Sequence, residues 1–150
     1  MGEGTMIREA ASAADFAAAA RCIRELRPLK SVEEIIAAIG RQRLAGYRIF
    51  VCEREGEILG SAGFRTGENI AWGRFLYVDD LVVDPAARSQ GIGRALLAAL
   101  RAEGERLGCA ELHLDTSVAR LDAHRFYERE GLEWTSRHYR ERLGREMRGT

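Results

Sequence analysis

Gly91 and Gly93 stand one residue apart in DPAARSQGIGRALLAAL, residues 84–100, directly before a long apolar-periodic run. A glycine costs a helix about 1 kcal/mol relative to alanine, so a pair of them at a helix start needs a reason. The N-terminus of a helix presents free amide groups and a partial positive charge, which suits an anionic phosphate. Without Cβ atoms at these two positions a pyrophosphate can approach those amides, and Arg88 and Arg94 flank the loop with charge-assisted donors. A tight strand-to-helix turn with solvated arginines is the alternative on this stretch alone.

Three phosphate cradles compete for the motif. A Walker loop requires Gly-Lys-Ser or Gly-Lys-Thr, whereas Gly93 is followed by Arg94 and Ala95. A dinucleotide-binding turn has its first glycine at the strand end and a third glycine in the helix; here Pro85 and further loop residues intervene, and no glycine stands at the third position of that fingerprint. The third fits better. RSQGIG, Arg88 to Gly93, directly after LVVDP, resembles the Arg/Gln-x-x-Gly-x-Gly/Ala acyl-CoA motif of the GNAT superfamily of N-acetyltransferases. AHRFYEREGL, Ala123 to Leu132, is similar to that superfamily's second signature, Ala-x-x-Phe-Tyr-x-x-x-Gly-Phe. The two stand in order, one helix and one strand apart, and the likeness is close from Phe75 to Leu132. Arg120 occupies a position where many relatives carry Asn, and Leu132 one where Phe is usual.

The resemblance implies acetyl-CoA as co-substrate, no metal, and direct attack of a primary amine on the thioester carbonyl in a ternary complex. It implies that main-chain groups of Leu81, Val82 and Val83 run beside the pantetheine arm where two parallel strands splay apart. An N–H of the same strand would hold the oxyanion. Arg88, Ser89, Gln90, Gly91, Ile92, Gly93, Arg94 and Ala95 would surround the pyrophosphate. Tyr127, the tyrosine of the second signature, becomes the expected general acid at the departing sulfur, since a tyrosine with a reference pKa of about 10 keeps its proton at neutral pH. The other reading makes Phe126 and Tyr127 core aromatics of a short helix.

For the base, YVDDL offers Asp79 and Asp80 on opposite faces of a regular strand, so only one would reach the cleft. The resemblance favours Asp80, a bulge would favour Asp79, and His124 or water are the remaining candidates. His113 alternates with Leu112 and Leu114 as a strand residue with a structural partner, and His138 lies in the charged last strand. Cys109 as an acyl-carrying nucleophile is a distant alternative. Trp72, Phe75 and Tyr77 are candidates for the acceptor pocket or for the sheet core.

These groups need a scaffold. Thr5 to Glu9 reads as a first strand, Ser12 caps a helix to about Arg27, and Ser31 with Glu34 forms a capping box for a second helix that stops near Gly46. YRIFVCERE and EILGSAGFR read as an antiparallel hairpin, and GRFLYVDDLVVDP as a long strand ended by Pro85. A helix from about Gln90 to Leu107, a buried strand CAELHLD, a helix over Leu121–Arg129 and a last strand LEWTSRHYRERL complete the order. The fold expected is α/β (α+β), GNAT-like, with a mixed, mostly antiparallel sheet, a splayed parallel pair and about four flanking helices. All 150 residues are expected to form one domain.

The chain has 46% hydrophobic and 31% charged residues, with 23 cationic and 23 acidic side chains. Zero formal net charge supplies no global field for nucleic acid or an anionic membrane. Cys22, Cys52 and Cys109 lack metal-ligand spacing and are odd in number, which points to a reducing, cytoplasmic setting. No targeting or membrane segment is expected. The acceptor, a small molecule or peptide amine, is not legible, and a homodimer stays open. A non-catalytic acyl-CoA-binding module is the alternative function, and a nucleotide-dependent oxidoreductase a more remote one.

Overall fold

In the computed structural model of the chain, residues 4–144 are described. Their order is β1 (Thr5–Glu9), α1 (Ala13–Arg24), α2 (Val32–Arg43), β2 (Arg48–Arg54), β3 (Glu57–Asn69), β4 (Gly73–Val83), α3 (Ile92–Arg106), β5 (Glu111–Leu114) and α4 (Leu121–Arg129). Two compact units divide after Leu114, the sheet and α1 to α3 forming the first and α4 with its flanking segments the second.

Reciprocal capping boxes start the first two helices. The Ser12 and Ser31 hydroxyls accept from the amides of Asp15 and Glu34, whose carboxylates accept in return from the serine amides. Helix α1 ends at Arg24 rather than at Arg27. A residue preceding proline is pushed out of the helical region, and Pro28 thereby leaves Arg27 in the connecting turn.

The five strands lie in sequence order, antiparallel from β1 to β4 and parallel between β4 and β5. Alternation along β2 separates two cores. Tyr47, Ile49 and Val51 join Ala19, Ala20 and Ile23 of α1 and Ile35 and Ile39 of α2 on one face. On the other face Arg48 reaches Glu103 of α3, and the Gly60 position lies against Ile92 and Leu96 of the same helix. Between β3 and β4 the ladder is interrupted: Gly63 pairs with Asp80 and Phe64 with Val78, so Asp79 is the extra residue of a β-bulge. Pairing of β4 with β5 runs from Phe75 with Glu111 to Val78 with Leu114 and stops there.

The sheet extends further than the sequence suggests in one place and less far in another. Strand β3 continues past EILGSAGFR to Asn69, paired with Gly73, so only residues 70–72 separate it from β4. Strand β5 is half-buried rather than buried. In the second unit α4 spans the expected residues, but no strand forms over residues 132–144. The apolar side chains of that segment change parity, Leu132 and Trp134 falling on one face of an extended chain and Tyr139 and Leu143 on the other, so no single face is apolar. Trp134, Tyr139 and Leu143 are exposed, and the Trp134 indole N–H donates to the Ser136 carbonyl two residues on. Residues 145–150 lie outside the described residues.

Candidate active site

The bulge at Asp79 determines the acidic side of the site. Two residues of β4 oppose one of β3, so Asp79 and Asp80 both border one cavity of about 360 Å³ on the α1 and α2 face. The expectation that only one of them reaches a cleft holds for a regular strand and fails here. Lys30, Glu34, Arg41 and Gln42 of the α2 region and Tyr47 border the same space. Its volume is that of a small-molecule site.

The two carboxylates are held differently. Asp79 accepts a two-pronged contact from Arg65, Nε to Oδ1 at 3.0 Å and Nη2 to Oδ2 at 2.6 Å, and Arg65 also donates to Gln42 Oε1 at 2.6 Å. Asp80 accepts one contact, from Arg27 Nη2 at 2.7 Å. The Asp80 side chain is 15% exposed and that of Arg27 56%. Burial raises the Asp80 pKa above the usual carboxylate range, and the Arg27 charge and hydrogen bond oppose that rise without cancelling it. A shift in that direction makes the carboxylate a better proton acceptor than one in water.

The glycine-rich corner lies beyond the far end of β4. The Asp84 carboxylate accepts from the Ala86 amide at 2.8 Å, closing a short 3-10 turn over Pro85–Ala87. Ser89 and Gly91 then take positive φ, 65° and 80°. Gly91 is the N-cap of α3, and a Cβ there would meet nothing within 4 Å, so this glycine serves backbone handedness rather than space. Gly93 lies inside the first turn without a left-handed φ. No side chain caps α3, which leaves the Ile92 and Gly93 amides for another partner. The Ile92 side chain is buried, and the Gln90 side chain accepts from Arg54 at 2.8 Å, so these two residues face the corner with their backbone. The outer edge of β4 from Asp79 to Val83 has no strand partner among the described residues, the arrangement expected where β4 and β5 splay.

In the second unit Tyr127 sits on α4, half-buried, with its ring 5.3 Å from that of Phe126 in an edge-on contact. His124 Nε2 lies 2.7 Å from the Ser117 carbonyl oxygen, so this nitrogen donates and ties the preceding loop to the helix. Arg120 is the N-cap of α4 and makes no side-chain capping bond. His113 has the structural partners expected of it, Glu111 at 2.7 Å and the Trp72 ring stacked at 3.5 Å. Trp72, Phe75 and Tyr77 are not among the residues that border the cavity; Trp72 meets Phe75 edge-on, and Phe75 lies against Gly67.

A sequence model of the acetyltransferase (GNAT) family matches residues 13–132. The chain belongs to that family. It is an acetyl-CoA-dependent N-acetyltransferase, and its mixed sheet with a parallel β4–β5 pair is the family's fold. It is 34% identical over 122 residues to a glucosamine 6-phosphate N-acetyltransferase of Trypanosoma brucei brucei, covering 79% of this chain and 80% of that one. Over 79 residues it is 37% identical to an aminoalkylphosphonate N-acetyltransferase of Salmonella typhimurium, a match covering 52% of this chain and about half, 51%, of that relative. A crystal structure of a Trypanosoma brucei acetyltransferase superposes with a TM-score of 0.75 at 27% identity, covering 93% of this chain and 99% of that one.

The unpaired β4 edge and uncapped α3 of this acetyltransferase fit an extended thiol arm ending in a pyrophosphate. Among the described residues no cluster of His, Cys, Asp and Glu can hold a metal, and no helix is long and apolar enough to cross a membrane. Sequence reasoning missed Arg27, Arg65 and Tyr47, none of which belongs to a motif. The only signal was that Tyr47 opens an alternating run, Tyr47, Ile49, Val51, with a polar tip on an otherwise apolar face.

Proposed function

We propose that this acetyltransferase acts on a small primary amine carrying an anionic group, with Asp80 as the base and Tyr127 as the acid. The observation that carries the reading is Asp80 itself, a buried carboxyl of raised pKa at the wall of a small-molecule cavity. Acetyl-CoA supplies the activated acyl group. Asp80 takes a proton from the acceptor ammonium, the freed nitrogen forms a bond to the acetyl carbon, and the C–S bond breaks. As the adduct collapses the nitrogen loses its second proton to solvent and Tyr127 gives its proton to the sulfur; Tyr127 then takes one back from solvent and Asp80 gives up the one it received, so one proton is released per amide formed. A main-chain N–H of the β4 edge faces the carbonyl oxygen during this exchange. Leu81, Val82 and Val83 hold the thiol arm through their backbone, and Arg88 to Ala95 hold the pyrophosphate. Support for Tyr127 is its place in AHRFYEREGL.

Support for an anionic group on the acceptor comes from two directions. Lys30 and Arg41 border the cavity, and no ion pair engages either among the described residues. The two relatives compared are named for an aminoalkylphosphonate and glucosamine 6-phosphate, both amines with a phosphorus oxyanion. A single domain spanning both compact units accords with a family match that crosses Leu114. The three free cysteines support a cytoplasmic setting.

The test is thiol release from acetyl-CoA, with product mass, on 2-aminoethylphosphonate, glucosamine 6-phosphate, kanamycin and propylamine. The first two should be acetylated faster than propylamine. Coenzyme binding without acetylation of any of the four would overturn the anionic small-amine reading and place the acceptor in another class of amine. Tyr127→Phe should lower turnover about 100- to 10,000-fold where chemistry limits the rate, with little change in the KM for acetyl-CoA. Parent turnover in that variant would leave solvent as the proton donor.

A further inference from the structure

Tyr47 is 5% exposed and belongs to the core packed under α1 and α2, yet it also borders the cavity that holds Asp79 and Asp80. Its ring lies beneath the Arg65 guanidinium, 5.2 Å from the carbon to the ring centre. Its phenol end lies over Gly63, the residue paired with Asp80 across the bulge. A Cβ at position 63 would come within 1.8 Å of the Tyr47 oxygen, so the glycine leaves the room that the hydroxyl occupies. That hydroxyl makes no hydrogen bond to another described residue, and it is not among the sealed oxygens without a partner, Ser61 Oγ and Thr116 Oγ1, so it is open to the cavity that Tyr47 borders. Burial and the neighbouring Asp80 and Asp79 charges push its pKa far up, so the group stays neutral and keeps its proton.

Resting on the amine-acceptor reading above, we propose that Tyr47 contacts the substrate: its oxygen accepts an N–H of the acceptor nitrogen while Asp80 receives the proton that nitrogen gives up. A primary ammonium has three N–H bonds. One proton passes to Asp80 and leaves the lone pair along that direction; with one N–H held on Tyr47, the nitrogen turns about that contact to bring the lone pair to the thioester. Tyr47 thereby sets the direction from which the nitrogen meets the thioester, and Gly63 is the residue that permits it.

Tyr47→Phe keeps the ring over Gly63 and removes only the oxygen. With whichever amine of the four-member panel the parent acetylates best, kcat/KM for that amine should fall about tenfold, the scale of one hydrogen bond to a charged group. The KM for acetyl-CoA and the melting temperature should stay at the parent's values, which a purely structural role for the hydroxyl would not predict. Gly63→Ala retains the hydroxyl but displaces it, and should lose acceptor kcat/KM in the same way. Combined with Tyr47→Phe it still sets the new Cβ 2.6 Å from the ring carbon that remains, so the double variant carries that strain as well and the single Tyr47→Phe change is the one that decides. A Tyr47→Phe enzyme with the parent's kcat/KM overturns the proposal, whether or not Gly63→Ala folds. A parent that binds coenzyme A and acetylates no amine of the panel overturns the reading beneath it, and this proposal with it.

Discussion

Arginine–carboxylate clusters occupy both faces of the sheet, and they behave in opposite ways. On the α3 face Glu103 accepts from Arg106 at 2.6 and 2.8 Å and pairs with Arg48, which in turn donates to Glu9 at 3.0 and 2.7 Å and lies over the Phe64 ring. The hydrogen bonds from Arg106, with those from Arg48, bring the Glu103 pKa down to about 2 despite burial. On the α1 and α2 face Asp80 has one contact to an exposed guanidinium, burial prevails, and its pKa rises. What decides is the number of fixed donors set against the loss of water. A carboxylate saturated with donors stabilises the fold and has no affinity left for a proton; one with too few donors is poised to accept one.

Asp80→Asn tests the reactive side and should have the largest effect, lowering kcat about 100- to 10,000-fold at pH values below the acceptor's pKa. The loss should shrink as pH rises and the amine arrives already deprotonated. If Asp79→Asn shows that dependence instead, the assignments of the two acids are reversed. Glu103→Gln tests the saturated side. It should lower stability by about 1 kcal/mol, since Arg106, its first partner, is exposed and screened by water, and the melting temperature by roughly 2–4 °C. Turnover per folded molecule should be unchanged. Because the folded Glu103 pKa is depressed, its contribution is fully present above the unfolded value near 4.5 and is lost as pH falls towards about 2. Melting curves of parent and variant should therefore converge in acid, and a constant gap would refute the linkage. Arg27→Ala should act least. Arg27 holds the Asp80 pKa down, so its removal should move the acidic limb of the kcat/KM profile to higher pH, by under about one unit for so exposed a partner. A shift to lower pH would show that Arg27 competes with the acceptor for Asp80 rather than tuning it.

Elements with a local cause were legible. Ser12 and Ser31 announced their helices and Pro85 the end of β4, while the left-handed φ of Gly91 is a reason for that glycine which the phosphate reading did not supply. The two signatures sufficed for the family, since their order and spacing depend on contiguous residues. What stayed hidden depends on partners distant in sequence. Arg65 finds Asp79 from 14 residues away and Arg27 finds Asp80 from 53, and no periodicity records either meeting. Alternation also misled in two places. A bulge brought Asp79 and Asp80 to one side where a regular strand would part them. LEWTSRHYRERL alternates in polarity without keeping its apolar residues on one side, and that difference separates a strand from an irregular segment.

Removing Asp79 would leave every other paired residue of β4 facing as it does now, because Gly63 opposite Asp80 and Phe64 opposite Val78 already obey the rule of a regular ladder. Nothing in the cores requires this residue. Its presence coincides with the point at which β4 parts from β5, after Val78, and the added twist of a bulge turns the strand end away from its neighbour. One extra residue in a plain ladder thus goes with an unpaired strand edge and brings a second acid to the wall of the cavity. A one-residue deletion, which no substitution can mimic, would close the slot and empty half the acidic wall while leaving a sounder sheet.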